Sequence, residues 1–127
     1  MALVLVIDDQ VHFRELIRKI LQDAGHEVIE AQSGKAGVRA FVEHRPDLVI
    51  TDMFMPEQDG IETLKHIRSA APDARIIAMS GGGSRGFTKI LEVAEHMGAD
   101  RTLPKPFTQA DLLGAVNQTL QLAPGRS

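Results

Sequence analysis

The run Leu3–Ile7, LVLVI, consists of five consecutive aliphatic residues, and two aspartates, Asp8 and Asp9, follow it directly. A short, continuously apolar segment that ends in polar residues is typical of a strand buried on both faces of a sheet. Such strands belong to parallel sheets, because crossover helices cover both faces. This stretch therefore predicts a parallel α/β sheet with acidic side chains at the carboxyl end of its first strand.

The rest of the chain alternates short apolar runs with amphipathic segments. The predicted strands cover residues 3–7, 27–31, 48–51, 75–79 and 101–103. The predicted helices, from the 3.6-residue spacing of apolar positions, cover about residues 13–24, 33–44, 59–70, 87–97 and 108–120. The apolar face of the first helix comprises Phe13, Leu16, Ile17, Ile20, Leu21 and Ala24.

Five strands alternating with five helices predict a doubly wound (βα)₅ domain with helices on both faces of a five-stranded parallel sheet. Right-handed crossovers leave few arrangements, and the common order at this size is 2-1-3-4-5, the flavodoxin-like fold. Ligands bind such sheets outside the carboxyl ends of strands 1 and 3, where the winding reverses. We expect one domain over residues 1–122 and a polar tail over residues 123–127.

Composition excludes several classes of protein. The chain has 127 residues, 43% of them hydrophobic and 24% charged, which fits one globular domain. A formal net charge of −3 argues against nucleic acid as a direct partner. The sequence has no cysteine, no basic leader and no apolar run approaching roughly 18 residues. We therefore expect a cytoplasmic protein with no membrane span.

Polar side chains follow four of the predicted strands. Asp8 and Asp9 follow the first strand, Asp52 the third, Ser80 the fourth and Lys105 the fifth. In the order 2-1-3-4-5 these strands are neighbours, so the five side chains are predicted to meet at one rim. Asp9 has a second interpretation, since an acidic residue after a strand is often a helix N-cap.

The predicted cluster suits phosphoryl transfer to a carboxylate. Three carboxylates repel one another unless a cation neutralises them, and an all-oxygen cluster favours Mg²⁺. Lys105 and Ser80 can both bind anionic oxygens. Asp52 is the best candidate nucleophile, because it lies centrally, with Asp8 and Asp9 on one side and Ser80 and Lys105 on the other.

These residues resemble the receiver domains of two-component response regulators, from residue 3 to about residue 120. Each motif is weak alone, but the order and spacing of the motifs are specific. The matching pieces are Val6-Ile7-Asp8-Asp9, Asp47-Leu48-Val49-Ile50-Thr51-Asp52, Met55-Pro56, Asp59-Gly60, Met79-Ser80-Gly81 and Leu103-Pro104-Lys105-Pro106-Phe107.

The resemblance implies that Asp52 accepts a phosphoryl group from a histidine kinase or a histidine phosphotransfer protein. It implies that Mg²⁺ is held by Asp8, Asp9, Asp52 and the backbone carbonyl of Phe54. The protein would then be a signalling switch rather than an enzyme with a separate substrate. Its downstream protein is not indicated by the sequence.

The resemblance also implies that Ser80 and Lys105 contact the phosphoryl group and that the Lys105–Pro106 bond is cis. Thr102 stands where the family usually has an aromatic residue, so the aromatic half of the usual switch is missing. The glycine-rich segment 80–86 predicts a mobile loop or a displaced start to the next helix. We expect the output surface on the predicted helix 87–97, the fifth strand and the last helix, and the phosphodonor near the first helix.

Two other functions remain open. A receiver fold that binds a partner without phosphorylation would explain Thr102. A nucleotide- or flavin-binding protein would explain Gly81, Gly83 and Gly86, which fit G-x-G-x-x-G but follow the fourth strand rather than the first. This second alternative assigns no role to Asp52 or Lys105.

Overall fold

The computed structural model describes residues 2–53, 60–80 and 98–122. Its five parallel strands form one sheet in the order β2-β1-β3-β4-β5, so the predicted fold class and strand order are confirmed. The strands are β1 Leu3–Ile7, β2 Glu27–Ala31, β3 Leu48–Asp52, β4 Ile76–Ser80 and β5 Arg101–Pro104. The described helices are α1 Val11–Asp23, α2 Gly34–His44, α3 Gly60–Ala70 and α4 Gln109–Leu120.

Three sequence-based predictions fall on residues that the structure does not describe. They are the glycine-rich loop beyond Ser80, the predicted helix over residues 87–97 and the polar tail over residues 123–127. The backbone carbonyl of Phe54, which is expected to be a ligand of Mg²⁺, also lies outside the described residues.

The core forms two layers, one on each face of the sheet. Leu5, Ile7 and Val49 point into the layer shared with α2 and α3. Val4 and Val6 point into the layer shared with α1 and α4. Both β3 and β4 are buried along their whole length, as expected for central strands covered by helices on two sides.

Helix α1 corrects two sequence-based predictions. Its N-cap residue is Gln10, which makes no side-chain cap, so the interpretation of Asp9 as an N-cap is wrong. Only Ile17 and Leu21 are fully buried on this helix, whereas Leu16 is 54% exposed and Ala24 is also exposed. Leu16 is turned about 100° from Ile17, so it leaves the stripe that reaches the sheet.

Two other helix starts agree with the predictions. The Ser33 hydroxyl accepts from the Ala36 backbone N–H at the start of α2. Thr108 and Asp111 form both halves of a capping box at the start of α4. Side-chain caps of this kind satisfy backbone donors that the first helical turn leaves free.

Strand β4 ends one residue later than predicted, which changes the setting of Ser80. The strand runs to Ser80 itself, and Ser80 pairs with Pro104 of β5. Ser80 is therefore held in the ladder of the sheet rather than in the loop that follows it.

Helix α3 begins directly against the end of β3. A Cβ atom on Gly60 would lie 2.4 Å from the Met53 Cα and 2.7 Å from the Asp52 carbonyl oxygen. Both neighbours are backbone atoms, so a side chain at Gly60 forces the end of β3 and the start of α3 apart.

We expect Gly60→Ala to lower the free energy of unfolding by about 2 kcal/mol through this overlap. Gly114→Ala is the matched control, since a Cβ atom there meets nothing within 4 Å. The control should raise stability by about 0.5–1 kcal/mol, because alanine is the better helix former. Urea unfolding of both variants measures the difference, and equal effects would contradict the close packing at Gly60.

Candidate functional site

Four of the predicted site residues meet at the carboxyl edge of the sheet. Asp8 directly follows β1, Asp52 ends β3, Ser80 ends β4 and Lys105 directly follows β5. The Lys105 backbone N–H donates to the Ser80 carbonyl at 2.7 Å, so the ends of β4 and β5 stay in register. The predicted convergence is confirmed for these four residues.

Asp8 is fully buried and has a partner on each carboxylate oxygen. Its Oδ1 accepts from the Gln10 backbone N–H at 2.9 Å, and its Oδ2 accepts from Lys105 Nζ at 3.1 Å. The Asp8 backbone N–H donates to the Ala31 carbonyl at 3.1 Å. These contacts fix the carboxylate, because both its oxygens and its own backbone are held.

Lys105 lies between two buried carboxylates. Its Nζ is 3.1 Å from Asp8 Oδ2 and 3.7 Å from Asp52 Oδ2. The Asp52 side chain is 6% exposed and that of Lys105 is 13% exposed, so solvent screens this group of charges weakly.

The carboxylates of Asp8, Asp9 and Asp52 form one acidic cluster. One oxygen from each lies within 4.8 Å of the others, with Asp9 exposed and the other two buried. Within the described residues, these three carboxylates lie beside the single ammonium of Lys105, so the four groups together carry a net negative charge. The cluster contains only oxygen donors, and hard cations such as Mg²⁺ prefer that set.

Ser80 has an unusual hydrogen-bonding state. Its hydroxyl is fully buried, and its Oγ has no hydrogen-bond partner within the described part of the chain. A buried hydroxyl without a partner costs on the order of 1–3 kcal/mol. The hydroxyl is therefore available to donate to an anionic oxygen that enters the site.

Sequence reasoning missed two aromatic residues beside the site. The Phe13 ring lies under the Lys105 ammonium, with Nζ 4.1 Å from the ring centroid. The Phe107 and Phe13 rings form a T-shaped pair, with centroids 5.5 Å apart and planes at 75°. Phe13 lies on the apolar stripe of α1, so its spacing indicated a core residue and carried no sign of the contact with Lys105.

A second missed group connects Asp8 to the neighbouring strand. Arg14 Nη1 donates to the Asp8 carbonyl at 2.7 Å, and Arg14 Nε donates to Glu30 at 2.9 Å. Arg18 pairs with the other oxygen of Glu30 at 2.8 Å. Arg14 and Arg18 are four residues apart on α1, a spacing that puts two side chains on one helix face.

Thr102 lies in β5 opposite Ala78 and is half-buried. A groove of about 500 Å³ runs between β5 and α4, and Thr102, Phe107 and Gly114 are among the residues that line it. The groove lies on the part of the expected output surface that the structure describes.

Among the described helices, none combines the length and the apolar character that a membrane span requires.

Comparisons with known proteins agree with this geometry. The family model described as "Response regulator receiver domain" matches residues 4–117. The chain is 40% identical to the chemotaxis protein CheY of Bacillus subtilis (strain 168) over 118 residues, covering 92% of this chain and 96% of CheY. It is 30% identical to sporulation initiation phosphotransferase F of the same organism, covering 94% of each chain.

A solved structure has the same fold. The receiver domain of a response regulator from Clostridium thermocellum superposes with a TM-score of 0.88 at 35% identity, covering 94% of each chain. The acidic cluster of Asp8, Asp9 and Asp52 fits the Mg²⁺ site of such a domain.

We expect Mg²⁺ to raise the free energy of unfolding by relieving repulsion within the acidic cluster. At a concentration tenfold above Kd the gain is about 1.4 kcal/mol. Asp9→Asn should reduce the gain, and its exposed position makes disruption of the fold a minor concern. Glu43→Gln, at a 74% exposed side chain on α2, should keep the gain. Thermal unfolding with and without Mg²⁺ makes the comparison, and an unchanged gain in Asp9→Asn contradicts the assignment.

Proposed function

The chain belongs to the family of response regulator receiver domains, and we propose that it is a phosphoryl-accepting switch of a two-component phosphorelay. Asp52 is the proposed phosphoacceptor, and a phosphohistidine of a kinase or phosphotransfer protein is the proposed donor. Receiver domains are signalling switches rather than classical enzymes. The proposed reaction is therefore the modification of the chain itself.

The placement of Asp52 is the observation that carries the proposal. It ends β3, the central strand of the sheet, with Asp8 directly after the neighbouring strand β1 and with Ser80 and Lys105 on the other side. Its carboxylate is nearly buried but lies beside the exposed Asp9. A donor that approaches from solvent can reach a nucleophile at this position. The Lys105 ammonium meanwhile stabilises the negative charge of that nucleophile.

The proposed step is an in-line transfer of one phosphoryl group. An oxygen of the Asp52 carboxylate attacks the phosphorus of the donor, a P–O bond forms and the P–N bond to the imidazole breaks. The electron pair of that bond stays on the imidazole nitrogen. After protonation of that nitrogen, the donor is released with a neutral histidine. Lys105 stabilises the negative charge on the transferred group.

We propose that Asp8, Asp9 and Asp52 hold Mg²⁺, together with the backbone carbonyl of Phe54. When bound, the ion supplies positive charge to the oxygens of the transferring group. Asp8 then has two roles, since it also orients Lys105 through the contact at 3.1 Å.

The proposed switch begins at Ser80. A phosphoryl group brings three acceptor oxygens, and the unpartnered Ser80 hydroxyl can donate to one of them. That new bond shifts the population toward the state that contains it. We propose that the groove between β5 and α4 is part of the surface that changes, with Thr102 in the place of the usual aromatic residue.

We further propose that the phosphodonor docks on α1 beside the rim. Val11 and Leu16 are 45% and 54% exposed on this helix, which offers apolar contacts next to the acidic cluster. The proposed domain comprises residues 1–122, leaving residues 123–127 as a tail. Arg75 supports this boundary, because its Nε and Nη2 donate to the Leu122 carbonyl at 3.0 and 2.6 Å.

Incubation with acetyl phosphate and Mg²⁺ should add one phosphoryl group, because Asp52 is the proposed acceptor. Intact mass is the suitable measurement, since the chain has no tryptophan to report by fluorescence. The adduct should require Mg²⁺, disappear in Asp52→Asn and persist in Glu43→Gln.

An adduct that survives in Asp52→Asn would place the chemistry elsewhere. No adduct, together with no binding of beryllofluoride, would favour the binding module that acts without phosphorylation. A flavin absorbance in the purified protein would favour the cofactor-binding alternative.

Ser80→Ala tests the proposed switch. In the unphosphorylated protein the change should raise the free energy of unfolding by about 1 kcal/mol, because it removes a buried hydroxyl that has no partner. With beryllofluoride bound at Asp52 the same change should lower stability relative to wild type, because the new hydrogen bond is lost. Urea unfolding under both conditions measures this reversal of sign, and an effect of the same sign in both would contradict it.

A further inference from the structure

Phe13 contacts the ammonium group of Lys105, and we propose that it is a positioning residue for the phosphoryl-transfer reaction. Its ring holds Lys105 in the place from which the ammonium can meet a phosphoryl group on Asp52. This inference rests on the proposed function, although the positioning itself can be measured without it.

The geometry is that of a cation–π contact. Lys105 Nζ lies 4.1 Å from the centroid of the Phe13 ring, within the roughly 6 Å over which the negative face of an aromatic ring attracts a cation. The same nitrogen is 3.1 Å from Asp8 and 3.7 Å from Asp52. The ammonium is thus held by two carboxylates and one ring face. The Lys105 side chain is 13% exposed, so water screens these attractions weakly.

The Phe13 ring is itself held in place. The Phe13 and Phe107 rings form a T-shaped pair, with centroids 5.5 Å apart and planes at 75°, an arrangement in which the positive edge of one ring faces the negative face of the other. Phe107 lies two residues after Lys105. The same segment therefore carries both the ammonium and the ring that orients Phe13. Both rings are partly buried, and both pack against the core layer below α1 and α4.

Lys105 needs such a support because its side chain is flexible. A lysine ammonium sits on a four-carbon stem and loses rotamer freedom when it is held in one place. An ammonium that is already placed when the phosphoryl group arrives stabilises the transition state without reorganising. The contact with Phe13 supplies part of this order in advance, so weakening it should slow the transfer.

Fluorination separates the effect of the negative potential on the ring face from the effect of the ring's shape. We would replace Phe13 with 3,4,5-trifluorophenylalanine, which fills nearly the same space but has a much weaker negative face. The second-order rate constant for phosphorylation by acetyl phosphate at saturating Mg²⁺ should fall about three- to tenfold. Phe13→Leu, which removes the ring, should show a fall at least as large. A small phosphodonor is chosen because it does not depend on docking at α1.

The matched control carries the same analogue at Phe41. This ring is buried in α2, with the Arg45 guanidinium 5.5 Å from its centroid, and it packs in the core layer on the opposite face of the sheet from Phe13. The control should keep the wild-type rate. A trifluoro variant at Phe13 that also reacts at the wild-type rate would overturn the inference, because the shape of the ring would then be sufficient.

A second measurement does not depend on phosphorylation. The ring current of Phe13 should shift the Lys105 Hε resonances upfield, and lysine-selective ¹³C labelling makes them visible by NMR. The shift should vanish in Phe13→Leu and persist in Asp52→Asn. Its absence from the wild-type protein would overturn the positioning of Lys105 by Phe13. A wild-type protein that shows the shift but accepts no phosphoryl group would instead contradict the proposed function alone.

Discussion

The ion pair between Asp8 and Lys105 joins residues 97 positions apart and closes the site across the sheet. Each of the two side chains directly follows a strand, and the strands are brought to one edge by the parallel order of the sheet. Removing two charges from water costs free energy that offsets their mutual attraction. A buried ion pair is therefore weak evidence for stability of the fold. Its value lies in placing one ammonium beside two carboxylates, and the remaining site residues are arranged around it.

Within the described residues, the site has excess negative charge and a buried hydroxyl without a partner, whereas the side chains that support it are paired with one another. The acidic cluster has more negative charge than Lys105 neutralises, and the buried Ser80 hydroxyl has no partner in the described parts of the molecule. Around them, Arg14 holds the backbone of Asp8, and Glu30 holds Arg14. A cation and an anionic group entering together would satisfy both deficits. These two deficits are the physical basis for the proposed binding of Mg²⁺ and a phosphoryl group.

The surface between β5 and α4 has a groove and a small side chain where the resemblance to receiver domains leads us to expect an aromatic residue. Thr102 takes a position where an aromatic side chain is usual, and a groove opens beside it, with Gly114 on its helical side. Two of the five phenylalanines lie beside the site instead, where Phe13 is under the Lys105 ammonium and forms an edge-to-face pair with Phe107. The described structure thus has an aromatic pair beside Lys105 and a smaller side chain, Thr102, on the proposed output surface.

The pattern of the sequence predicts the order of the strands and the convergence of Asp8, Asp52, Ser80 and Lys105, and the structure agrees with both. Apolar periodicity identifies the elements, right-handed crossovers leave few arrangements, and the common order at this size brings the ends of these strands to one rim. Only the folded structure shows that Phe13 contacts Lys105, that Leu16 is exposed and that α1 begins after Gln10, without a side-chain cap from Asp9. Periodicity shows which face of a helix is apolar, but it does not show which atoms meet that face. Those contacts depend on how each helix is rotated against the sheet, and packing across the whole domain sets that rotation.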